Sequence, residues 1–95
     1  MLTSKQRAML RSMANTMDTI LYVGKDGITD ATVKEAYDAL EAREIIKCAV
    51  QQNCELTARE ALDELCARLH AEPVQCIGRR IVMYRESSTN KRIEL

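Results

Sequence analysis

Ninety-five residues leave room for one domain with one modest core. The hydrophobic fraction, 46%, is that of an ordinary folded protein, but aromatics are only 3%, with no Phe and no Trp; Leu, Ile, Val, Met and Ala must fill the interior, and a cage of stacked rings around a cofactor is excluded. Formal charge is zero, 14 Lys and Arg against 14 Asp and Glu, which withholds the positive excess usual in nucleic-acid-binding domains, and no apolar run reaches the roughly 18 residues of a membrane span.

Thr3 and Gln6 stand at the spacing of a capping box, and Met9, Leu10, Met13 and Met17 recur behind them at helical intervals. A first helix over about residues 3 to 15 follows, with Lys5, Arg7 and Arg11 off its apolar stripe. The amino terminus has no signal-peptide stretch, so a cytoplasmic protein is expected. Thr19 to Val23 is a β-branched and aromatic run stopped by Gly24, which predicts a strand covered on both faces. After Gly27, Thr29 or Asp30 is placed to cap a second helix. Its Val33, Ala36, Tyr37 and Leu40 fall at i, i+3, i+4 and i+7, while Lys34, Glu35, Asp38 and Glu41 point mostly outward.

Glu44 to Val50 is short, bounded by polar residues and rich in β formers, and reads as the second strand. Thr57 and Glu60 make another capping box, and Ala58, Ala61, Leu62, Leu65 and Leu69 form the apolar face of a third helix. Pro73 closes that helical region. Val74 to Ile77 and Arg80 to Arg85 then flank Gly78-Arg79, a tight turn with Gly at positive φ, and form an antiparallel hairpin. Residues 86 to 95 read as a polar, mobile tail in which Ile93 and Leu95 add a short edge contact. The order α-β-α-β-α-β-β makes the first two strands parallel through a right-handed helical crossover. The expected fold is α/β, of the α+β two-layer kind: a four-stranded mixed sheet packed with three helices, in a single domain over residues 1 to 95.

Cys48, Cys54, Cys66 and Cys76 are irregularly spaced and include no C-x-x-C pair, and His70, the single histidine, has only Cys66 near it in sequence. They read as buried free thiols and a helix-end histidine favoured by the dipole, so neither a metal nor a cofactor is expected. Charge is unevenly spread. Residues 1 to 17 hold Lys5, Arg7 and Arg11 and no acid, and residues 78 to 92 hold Arg79, Arg80, Arg85, Lys91 and Arg92 against Glu86 alone. Residues 30 to 72 hold ten acids against Lys34, Arg43, Lys47, Arg59 and Arg68. If the two basic ends meet in space, one face is positive and another negative.

Gly24-Lys25-Asp26-Gly27 joins the first strand to the second helix, where free backbone N–H groups and the positive end of the helix dipole can hold an anion. Glycine at both outer positions permits positive φ and close approach of a phosphate; Lys25 adds a mobile charge, and Asp26 must point away. The bland alternative is a plain turn. The pattern is neither G-x-x-x-x-G-K-[ST] nor G-x-G-x-x-G, so nucleotide hydrolysis and dinucleotide binding have no support. A G-x-x-G clamp on nucleotide backbones occurs in the KH module, where it joins two helices instead.

Four ordered motifs give this chain a family resemblance: Leu2-Thr3-Ser4-Lys5-Gln6-Arg7; Val23-Gly24-Lys25-Asp26-Gly27-Ile28-Thr29; Glu44-Ile45-Ile46-Lys47; and Val74-Gln75-Cys76-Ile77-Gly78-Arg79 leading to Val82-Met83-Tyr84-Arg85. Over nearly its whole length the sequence resembles the CRM domain in its stand-alone bacterial form, the YhbY-like ribosome assembly proteins. That resemblance implies a fold similar to the C-terminal domain of a bacterial translation initiation factor, binding of structured RNA, and association with precursors of the large ribosomal subunit. It also implies that Gly24, Lys25 and Gly27 form the family's loop, with Lys47, Arg79 and Arg85 at basic positions near it. The neutral charge departs from family members, which are often basic.

Beside the resemblance, the residues carry their own reading. Lys5, Arg7 and Arg11 lie within one and a half helical turns without a compensating acid, as cations that track phosphates do, with solvated surface charge as the alternative. Lys47, a charge in an otherwise apolar strand, must reach an open sheet face or an edge. Arg79 and Arg80 at a hairpin tip present two guanidinium groups. Tyr22 and Tyr84 read as core residues and not as stacking platforms, and the methionines as core filler, so RNA would be recognised by shape and backbone. The expected RNA site is Gly24, Lys25, Asp26 and Gly27 with Lys5, Arg7, Arg11, Lys47, Arg79, Arg80 and Arg85, in a monomeric protein without catalytic residues or a small-molecule substrate. The rival reading is a protein interaction or dimerisation module whose exposed helix faces recruit a partner.

Overall fold

Threonines start all three helices. In the computed structural model, which describes residues 2–95, the hydroxyls of Thr3, Thr29 and Thr57 accept from the amides of Gln6, Thr32 and Glu60, and those three side chains accept in return from the threonine amides. Each such box stabilises a helix start by about 1 kcal/mol. They set the beginnings of α1 (Ser4–Ala14), α2 (Asp30–Arg43) and α3 (Ala58–Leu69). α3 stops at His70, which adopts the left-handed capping conformation, φ 55° and ψ 40°, and donates its N–H to the Cys66 carbonyl.

The strands are β1 (Thr19–Val23), β2 (Ile45–Val50), β3 (Glu72–Ile77) and β4 (Arg80–Tyr84), in the sheet order β1-β2-β4-β3. β1 and β2 are parallel, with Leu21 opposite Cys48 and Val23 opposite Val50, and β4 is antiparallel to both of its neighbours. The Gly78-Arg79 turn, with Gly78 at φ 58°, folds β4 inward so that β3 becomes an edge. Pro73 therefore lies inside β3, where a missing N–H can face outward without breaking the ladder, and not in the linker that the sequence suggests.

Alternation along the strands divides the core between the two faces. Leu21, Val23, Ile46, Cys48, Val50, Ile81 and Met83 pack with Ala36 and Leu40 of α2 and with Ala61, Leu62 and Leu65 of α3. On the other face Ile45, Val74, Val82 and Tyr84 pack with Leu10 and Ala14 of α1, and Leu2 and Ile93 complete that cluster. Because α1 touches the sheet along only the Leu10–Ala14 stripe, Met9 and Met13 are left exposed, and among the described methionines Met83 alone is fully buried. Tyr37, expected on the buried stripe of α2, is exposed beneath the Arg85 guanidinium, 4.9 Å from its ring centre. β1 is a sheet edge and is not covered on both faces as expected: Tyr22 is 57% exposed, since α1 packs over β2, β3 and β4 instead.

Glu44, read as the first residue of β2, is instead the C-cap of α2, at φ 67° with no exposed surface. A buried carboxylate needs donors, and the chain beyond β4 supplies them. One oxygen accepts from the Ser87 amide at 2.7 Å and the other from the amides of Arg92 and Ile93. The segment expected to be a mobile tail is thus tied to the end of α2.

Candidate nucleic-acid interface

The carboxyl ends of β1 and β2 and the β3–β4 turn converge at one end of the sheet. Gln51 N–H donates to the Val23 carbonyl and Val50 N–H to the Arg79 carbonyl, each at 2.8 Å. The glycine loop therefore sits beside the hairpin tip. Within the loop Gly27 N–H donates to the Gly24 carbonyl at 3.0 Å, closing a turn in which Gly27 has φ 69°, a conformation costly for any residue with a Cβ. The amides of Lys25 and Asp26, at the turn's tip, donate to no acceptor among the described residues. Gly24 serves another purpose: a Cβ there would lie 2.8 Å from Gln51 Oε1. Its φ is not positive, and its missing side chain makes room for the Gln51 carboxamide.

The helix start stands back from the loop. α2 begins three residues past Gly27, its first turn carries Asp30, and Thr29 already accepts from the amides of Thr32 and Val33. At the loop itself an anion would meet the turn-tip amides and the Lys25 ammonium, beside which Asp26 is also exposed.

Around this end lie two hollows. One, of about 500 Å³, is lined by Tyr22, Gln51, Gln52, Asn53, Arg79 and Arg80 over Ala49 and Val50. The second, of about 630 Å³, follows edge strand β3 from Pro73 to Ile77, with Arg7 and Arg11 of α1 on one side and Arg59 and Leu62 of α3 on the other. Neither lining contains an acid. Lys47 is half-buried on the α1 side of the sheet, paired with Val82 of β4, and Lys5 is exposed in the first turn of α1.

Lys5, Arg7, Arg11, Lys25, Lys47, Arg79 and Arg80 have no carboxylate within 4.0 Å among the described residues. Three of the four cations of α2 and α3 differ: Lys34 pairs with Asp38, Arg59 with Asp63 and Arg68 with Glu64, each one helical turn apart, whereas Arg43 at the end of α2 is unpaired among the described residues. Arg85, the remaining expected site residue, does not join the others. It lies at the far end of β4, where Glu41 Oε2 accepts from its guanidinium at 3.0 Å. Burial pushes the Cys48 and Cys66 thiols up to about 12 and holds them protonated at neutral pH, while Cys76, expected to be buried with the other thiols, is only half-buried.

Sequence reasoning passed over Gln51, Gln52 and Asn53 and misjudged the exposure of Tyr22. A signal for the amides was present: they directly follow β2, and ligands of sheets with parallel strands gather at the carboxyl ends of those strands.

Comparison with known proteins follows the same lines. The CRS1 / YhbY (CRM) domain matches residues 2–85. The "Probable RNA-binding protein YqeI" of Bacillus subtilis is 46% identical over 95 residues, covering 100% of this chain and 99% of the relative. The "Probable RNA-binding protein PA4753" of Pseudomonas aeruginosa is 31% identical over 86 residues, covering 90% and 83%. The solution structure of protein SAV1595 from Staphylococcus aureus superposes with a TM-score of 0.74 at 45% identity, covering 100% of this chain and 99% of that one.

Proposed function

The chain belongs to the CRS1 / YhbY (CRM) domain family, and on that premise we propose that it is a cytoplasmic, monomeric RNA-binding protein that associates with ribosomal RNA in precursors of the large ribosomal subunit and assists their maturation without covalent chemistry. The observation that carries this reading is the segregation of charge. Seven cations stand free of carboxylates at the loop end and along α1 and the sheet, while three of the four cations of α2 and α3 are neutralised within their own helices, Arg43 being the exception. Net charge is zero, but the field that an approaching polyanion meets on this side is positive.

RNA phosphates fit the parts. The turn-tip amides and Lys25 offer a small anion cradle in the glycine loop, and Arg79 and Arg80 present planar forks suited to two phosphate oxygens at once. Arg7 and Arg11 extend the positive track along β3. Such contacts fix register and orientation on the RNA and carry no sequence information. Relatives named as RNA-binding proteins support the choice of partner.

Affinity for a ribosomal RNA fragment, measured across salt concentrations, tests the reading. Log K is expected to fall linearly with log salt, and Lys25→Ala combined with Arg79→Ala to weaken binding and flatten the slope by about two. A flat salt profile, or a double variant that binds like the parent, refutes the surface. Failure to co-sediment with ribosomal particles in low salt removes the ribosomal partner while leaving RNA binding in place.

A further inference from the structure

One row of residues crosses the whole sheet at its loop end. The strand register sets Tyr22 of β1 beside Ala49 of β2, Ala49 beside Arg80 of β4, and Arg80 beside Ile77 of β3. All four point to the α1 side, yet α1 seats on the rows nearer Ile45 and Tyr84 and leaves Tyr22, Arg80 and Ile77 exposed, with Ala49 buried between Tyr22 and Arg80. Tyr22 is 57% exposed and Ile77 64%, an unusual placement for large apolar side chains in a domain of three aromatic residues. The contrast with Tyr84, buried on the same face, shows that the sheet does not need Tyr22 for its core.

We propose that the hollow beside Tyr22 receives one unpaired RNA nucleotide, with its base stacked on the tyrosine ring, its edge bonded by the side-chain amides of Gln51, Gln52 and Asn53, and its phosphate held by Arg79 and Arg80. This rests on the RNA-binding reading above and adds what is recognised there. Ala49 is the small neighbour that keeps a ring face free for a base. Carboxamides carry donors and acceptors together, as base edges do, and two unpaired guanidinium groups complete the chemistry of a nucleotide. A volume of about 500 Å³ accommodates one. The base must be unpaired, because a base inside a duplex has no free face to offer.

The test uses the full chain with two RNA probes: a hairpin with an unpaired uridine-rich loop, and the same stem closed as a continuous duplex. Tyr22→Leu should bind the hairpin about tenfold more weakly and the duplex unchanged, with Tyr22→Phe equal to the parent. In the unaltered protein the hairpin should quench part of the tyrosine emission, a part that is missing in Tyr22→Leu and that the duplex should not quench. Equal losses on both probes, or an unaltered hairpin affinity in Tyr22→Leu, overturns the stacking site while leaving RNA binding intact. Binding of neither probe by the unaltered protein defeats both readings. Quenching by polyglutamate as strong as by the hairpin assigns the hollow to an acidic peptide and overturns the nucleotide.

Discussion

Arg80 and Arg85 bracket β4, and the two ends of that strand have opposite characters. At the Arg80 end the guanidinium meets no carboxylate and opens onto a hollow lined by amides and a bare tyrosine ring. At the Arg85 end Glu41 takes the guanidinium, Tyr37 lies beneath it, and Glu44 binds the returning main chain. The hydroxyl of Ser88 chiefly, then its amide and Arg85, hold the Glu41 carboxyl below the usual carboxylate range against the opposing effect of burial. Burial pushes the Glu44 carboxyl up, but the amides of Ser87, Arg92 and Ile93 outweigh it and bring the carboxyl below its ordinary value. Two arginines on one strand thus do different work: one is consumed in holding the fold, and the other is left available. What separates them is whether the chain supplies its own counter-charge.

The sharpest way to test that contrast is to break the closed end. Glu44→Ala leaves three amides, two of them buried, without their acceptor and should cost roughly 3 kcal/mol, only partly offset by relief of a positive φ, while RNA affinity is unchanged. Thermal melts of the variant beside RNA titrations check this. The carboxyl's depressed folded-state value fixes the sign of the pH effect: its contribution is present above the ordinary value of 4.5 and is lost as pH falls through the folded value. Glu44→Gln should therefore melt lower at neutral pH and show a shallower loss of stability on acidification.

A smaller effect comes from exchanging the two arginines' fates. Arg80→Ala should reduce the salt slope of RNA binding by about one and leave the melting temperature alone, whereas Arg85→Ala should lower the melting temperature and leave the slope alone. If both substitutions move the same quantity, the division of the strand is wrong. The smallest effect is expected on the outer face of α2, where Lys34 and Asp38 form an exposed pair one turn apart. Lys34→Ala should cost no more than about 0.5 kcal/mol in denaturant unfolding and nothing in RNA affinity.

Much of this molecule was legible in local sequence. The Thr3 and Thr57 capping boxes, the apolar face of α3 and the Gly78-Arg79 turn all follow from residues a few positions apart, and each forms where its spacing predicts. Readings failed where a residue's neighbours come from far along the chain. Met9 and Met13 fit a helical stripe as well as Leu10 does, and only the narrow seat of α1 on the sheet decides between them. Glu44 looks like a polar strand boundary until the segment 48 and 49 residues onward bonds to its carboxylate.

Composition and periodicity determined the helices, the strands and the division of charge along the chain, because hydrogen bonds within a few residues and amphipathic spacing are local properties. The one-turn pairs of α2 and α3 are local as well, but the tertiary structure decided that Arg85 would be paired and Arg80 left free. β4 inserts between β2 and β3, which brings the hairpin tip to the glycine loop and carries Arg85 to the opposite end. For groups far apart along the chain, pairing depends on approach to within a few ångströms in space, and separation along the sequence does not report it.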